Sequence, residues 1–123
     1  MQILKEVCVD SFEDAINAEK NGANRIELCS RLDLDGLTPS KKLISKVFSK
    51  LNIPIRVMIR PKQPSFIYSE EEIRQMLKSI IFCKELGVDG VVLGCLNKNS
   101  HLNIEQIDLL TKFAKPLNVI IHK

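Results

Sequence analysis

Gly22-Ala23-Asn24-Arg25-Ile26-Glu27-Leu28 has an echo further along the chain in Gly87-Val88-Asp89-Gly90-Val91-Val92-Leu93. In each, a glycine that stops a helix is followed by a short polar turn and then by an apolar run of strand length. Each stretch therefore marks a helix handing over to a strand. Working outward, apolar runs at Ile3–Val9, Arg25–Cys29, Ile55–Arg60, Gly90–Cys95 and Asn118–His122 read as five strands. Four helices fit between them, each with its own start signal: Ser11 with Asp14, Thr38 before Pro39, Ser69 with Glu72, and Asn103 with Gln106. At these positions an oxygen-bearing side chain satisfies amides that have no partner within the helix. One apolar face runs through Leu43, Ile44, Val47, Phe48 and Leu51, and another through Ile73, Met76, Leu77, Ile80 and Ile81. Strands alternating with helices across short turns define an α/β chain with parallel, right-handed connections.

Composition bounds what this chain can do. Its 123 residues are 45% hydrophobic and 27% charged, one domain's worth of globular sequence. No apolar run reaches the length of a membrane span, and Met1-Gln2-Ile3-Leu4-Lys5-Glu6 has neither the basic nor the long apolar segment of a signal peptide. A cytoplasmic location and no membrane partner are expected. The 18 Lys and Arg are interleaved with 15 acids for a net charge of +3. No basic stripe results, and nucleic acid is not an expected partner. Cys8, Cys29, Cys83 and Cys95 are widely spaced and form no C-x₂-C pair, which leaves reduced thiols rather than a zinc ribbon or disulfide scaffold.

Side chains alternate across a strand, so Arg25, Glu27 and Cys29 share one face, as do Arg56, Met58 and Arg60, and as do Glu6 and Cys8. The apolar residues between them must meet the helices. A sheet covered on both faces would bury these charges at several kcal/mol each unless paired, whereas a barrel interior can pair or solvate them. The expected fold is a parallel (β/α)₈ barrel of TIM type, of which residues 1–123 supply one partial domain of five strands and four helices. No glycine-rich phosphate loop follows the first strand, against a nucleotide-binding sheet.

Barrel sites lie at the C-terminal ends of the strands, which hold Cys8, Cys29, Arg60, Cys95 and His122. Arg60 offers a planar fork suited to a carboxylate or phosphate, with Arg25 as a second binding residue, Glu27 as acid or base and His122 assisting. Structural ion pairs, Arg25 with Glu27 or Arg56 with Glu6, are the bland alternative for the deeper residues. Cys8 and Cys29 fall on neighbouring strands about 5 Å apart, a spacing that lets two thiolates reach one Cu(I) ion. The alternative is that each cysteine is a small apolar filler, above all Cys83 within the third helix.

Together Glu6-Val7-Cys8, Asn21 to Cys29, Gly36-Leu37-Thr38-Pro39-Ser40, Ile59-Arg60-Pro61 and Phe66-Ile67-Tyr68-Ser69 resemble the CutC family along the whole chain and in the right order. The resemblance implies the N-terminal half of a cytoplasmic barrel that often self-associates, and the name copper homeostasis, with copper attributed to strand-end thiols in some members. Two departures stand out. The family often has a cysteine where this chain has Ile67, and its fifth strand continues from a His-Arg pair into an acidic turn where this chain reads His122-Lys123.

Two functions follow as expectations. The first is a CutC-like copper homeostasis protein binding Cu(I) through Cys8 and Cys29. The second is a barrel enzyme, or a truncated remnant of one, acting on a small anionic metabolite through Glu27, Arg60 and His122. Half a barrel leaves unpaired strand edges, so the sequence also predicts a homo-oligomer, association with a missing half, or a shortened product unstable alone.

Overall fold

The computed structural model describes residues 3–122; Met1, Gln2 and Lys123, quoted above, lie outside the described residues. Five parallel strands, β1 (Glu6–Val9), β2 (Arg25–Leu28), β3 (Ile55–Met58), β4 (Gly90–Leu93) and β5 (Asn118–Ile121), form one sheet in chain order. Helices α1 (Phe12–Lys20), α2 (Lys41–Lys50), α3 (Glu70–Leu86) and α4 (Ile104–Ala114) provide the crossovers. The fold is α/β, a partial TIM barrel with β1 and β5 at its edges.

Local chemistry explains most of the element boundaries. The Ser69 hydroxyl accepts from the Glu72 amide while the Glu72 carboxylate accepts from the Ser69 amide, satisfying two orphan donors at the start of α3. Gly87 ends that helix at φ 94°, a left-handed conformation in which a side chain would be strained. Two expectations need correction. Helix α2 is capped by Ser40, whose hydroxyl accepts from the Leu43 amide, because Thr38 is engaged elsewhere: its hydroxyl accepts from the Arg60 amide at 2.7 Å. Strand β1 begins at Glu6 rather than Ile3, since Ile3 and Leu4 are exposed and β2 pairs only with Glu6–Val9.

The two faces of the sheet divide as the alternation requires. Ile26, Leu28, Val57, Ile59, Val91 and Leu93 are fully buried against a helix layer that includes Ile44, Val47, Met76, Ile80, Cys83 and Leu110. Burial of each large aliphatic side chain contributes about 1.5–3 kcal/mol, which makes this layer the main source of cohesion. On the other face, Cys29, Met58, Val92 and Ile120 form a small apolar cluster on what is the lumen side of the barrel. Cys83 is wholly buried in α3 and its thiol is pushed up to about 12 by burial, the behaviour of a filler.

Candidate functional site

The parallel register sets the lumen face in rows. Glu6 lies opposite Arg25, Cys8 opposite Glu27, Glu27 opposite Arg56, and Arg56 opposite Gly90, which faces Asn118. Toward the N-terminal ends, Arg25 donates to the Glu6 carboxylate at 2.9 Å and Arg56 donates to Asp89 at 3.1 Å. The ion pairs expected for Arg25 with Glu27, or Arg56 with Glu6, therefore form with other partners. Arg25 and Glu6 are direct neighbours in one row of the register, and Asp89, just before β4, reaches Arg56 from the turn.

Glu27 is half-buried in the middle of this face. Burial first, then the neighbouring Glu6 carboxylate, hold its pKa above the ordinary glutamate value, while Cys8 and Arg56 pull it down. Its partner across the ladder is affected in the same sense. Cys8 is exposed, yet local desolvation, then Glu27 and Glu6, push its thiol up. Cys29 is buried, its thiol donates to the Val9 carbonyl at 3.6 Å, and burial followed by Asp10 pushes it up to about 12. Both thiols are thus shifted toward the protonated form. Among the described residues no three His, Cys, Asp or Glu side chains are grouped to hold a metal ion, so a copper site in this chain would rest on the two thiols.

The strand C-terminal ends open onto a cleft of about 550 Å³ lined by Asp33, Asp35, Met58, Arg60, Gln63, Phe66 and His122, among others. Arg60 is only 3% exposed. Its guanidinium donates to the carbonyls of Leu34 at 2.8 Å, Gly36 at 3.1 Å and Pro64 at 3.2 Å, and its face lies 4.5 Å from the Phe66 ring centroid. None of the ion pairs among the described residues includes Arg60. Arg60 is thus a buried cation held by carbonyl dipoles and an aromatic face, with no carboxylate in ion-pair contact among the described residues, at a cleft whose rim carries Asp33 and Asp35. In the same loop whose Leu34 and Gly36 carbonyls hold Arg60, Asp33 is tied to Arg31, and Arg31 and Asp35 both adopt left-handed backbone conformations at φ 50° and 64°.

Of the residues picked out by sequence, Arg60 and His122 meet at this cleft. Glu27 does not line it: Arg60 lies four residues beyond Arg56, Glu27's neighbour, a separation of roughly 13 Å along a strand. Arg25 is further still, bound to Glu6 near the other end of the strands. Asp33, Asp35, Gln63 and Phe66 were not singled out as site residues. The signals were faint: two acids just before Gly36, and an aromatic in the loop after β3.

A sheet of five sequential parallel strands, outer helices and a polar cleft at the strand C-terminal ends define half of a TIM-type barrel. The CutC family matches residues 3–123, and the chain belongs to that family. It is 45% identical over 120 residues to the human copper homeostasis protein cutC homolog, covering 98% of this chain and 44% of that one. A CutC family protein of Mesorhizobium japonicum is 39% identical over 120 residues, covering 98% and 46%. The chain thus spans about half the length of these relatives and corresponds to their N-terminal half. The CutC crystal structure from Streptococcus agalactiae superposes with a TM-score of 0.93 at 35% identity, covering 98% of this chain and 59% of that one. A Burkholderia cenocepacia structure, at 13% identity and a TM-score of 0.67, shares the fold alone. No described helix is long and apolar enough to cross a membrane.

Proposed function

We propose that the chain supplies the N-terminal half of a small-molecule site for an anionic metabolite, with Arg60 attracting the anion and His122 beside it. The observation that carries this reading is the burial of Arg60 at the cleft without a carboxylate partner among the described residues. An anion in the cleft offsets that charge where water reaches it poorly. Glu27, protonated more readily than a free glutamate, is the acid or base met by a ligand that extends down the lumen face, and Arg25 lies behind it. The test is a thermal-shift screen of small carboxylates and phosphate esters. A stabilising compound should lose its effect in Arg60→Met and weaken in His122→Asn, and a longer relative whose cleft is filled by apolar side chains would remove the reading.

A second reading, Cu(I) handling in a cytoplasmic setting, is favoured by Cys8 and Cys29 on adjacent strands and by the names of the relatives. Each thiol must give up its proton to the metal, which makes affinity rise with pH. Replacing both with Ser should abolish Cu(I) binding measured under reducing conditions against a competing chelator. Unchanged affinity refutes it. The edges of β1 and β5 also support self-association, which sedimentation measures directly.

A further inference from the structure

His122 and Gly94 occupy equivalent places just beyond their strands. Leu93 pairs with Ile121, and the His122 amide donates to the Leu93 carbonyl at 3.0 Å, which carries the parallel register one step past the last paired residues. Alternation from Gly90 and Val92 puts position 94 on the lumen side, and alternation from Asn118 and Ile120 does the same for His122. A Cβ on Gly94 would stand 3.2 Å from His122 Cε1 and 3.4 Å from Nδ1. The imidazole therefore lies across β4 in space that any side chain at 94 would compete for.

The ring also meets Phe66 in a tilted contact, with centroids 5.0 Å apart and an interplanar angle of 57°. Phe66 is itself fixed twice. Its carbonyl accepts from the Leu96 amide at 2.8 Å, and its ring carries the Arg60 guanidinium at 4.5 Å. The void bounded by Phe66, Gly94, Cys95, Leu96, Leu102 and His122 measures about 20 Å³, far less than an imidazole ring. His122 has no space to swing inward there.

We infer that Phe66 and Gly94 are positioning residues that clamp the His122 imidazole at the cleft, Phe66 also setting its relation to Arg60. This deepens the anion-site reading and rests on it for its functional meaning. The test is nuclear magnetic resonance of the intact protein, following the His122 ring signals in wild type, Phe66→Leu, Phe66→Tyr and Gly94→Ala, with amide spectra to confirm folding. The Phe66 ring current should displace the His122 signals. That displacement should vanish in Phe66→Leu, return in Phe66→Tyr, and change in Gly94→Ala although Phe66 is still present. Titration with inorganic phosphate should show binding weakened at least about threefold in Phe66→Leu and Gly94→Ala and restored in Phe66→Tyr. His122 signals that stay at their wild-type positions in both Phe66→Leu and Gly94→Ala overturn the clamp. Phosphate that moves no cleft signal in wild type overturns the anion reading instead, and the ring signals still decide the clamp.

Discussion

Gly90→Ala should loosen β5 from the sheet. A Cβ on Gly90 would stand 2.6 Å from the Asn118 backbone oxygen and 3.1 Å from the Asn118 Cβ. Ordinary van der Waals contact begins near 3.4 Å, so the strands must part locally by roughly 0.8 Å (3.4 less 2.6). Backbone N···O distances near 2.9 Å then stretch to about 3.7 Å, past the limit of a hydrogen bond. Strand β5 is an edge with β4 as its one partner in the sheet, so it yields rather than shares the strain. Losing two ladder bonds at about 0.5–1.5 kcal/mol each, plus about 1–3 kcal/mol for overpacking, gives a destabilisation of about 2–6 kcal/mol. Urea unfolding at fixed chain concentration measures the loss, and hydrogen exchange should show faster exchange at Asn118–Ile121 than in β2. Equal stability, or exchange unchanged in β5, refutes the reasoning.

Three further outcomes follow from the same structure. Glu27 has a raised folded-state pKa, so its stabilising contribution is fully present below its unfolded value and is lost as pH rises through the folded one; Glu27→Gln, always neutral, should gain stability relative to wild type as pH rises above the ordinary glutamate value, and a gain that shrinks with rising pH contradicts this. Alkylation of the native chain should modify exposed Cys8 roughly tenfold or more ahead of buried Cys29, Cys83 and Cys95, as read by mass spectrometry of peptides. Ser69→Ala removes one arm of the capping box and should cost about 1 kcal/mol in urea unfolding, with no effect expected on the cleft.

The order of elements and the two faces of each strand were legible because period and punctuation are local. Gly22 and Gly87 mark stops, and the alternation around Ile26, Leu28, Val57 and Ile59 separates core from lumen. What was not legible depends on how the strands are staggered. Arg25 chooses Glu6 over Glu27, and Arg56 chooses Asp89, because side-chain reach across a parallel ladder is set by register and by the turns before the strands. Thr38 and Ser40 flank one proline and either could cap; the Arg60 amide, which the Thr38 hydroxyl meets, lies on a different segment. The site was half visible. Arg60 and His122 stand at strand ends where a barrel places its chemistry, whereas Phe66 and the acids before Gly36 owe their position to loops whose paths no periodicity records.

The sheet order has a consequence for how the molecule comes into being. Because β1 to β5 are arranged as they are synthesised, each new strand finds its docking edge already in place on the segment just before it. Within this five-stranded sheet each strand pairs with the one made just before it, and loop closure spans only one helix at a time. Assembly can therefore proceed vectorially, one βα unit after another, as the chain emerges from the ribosome.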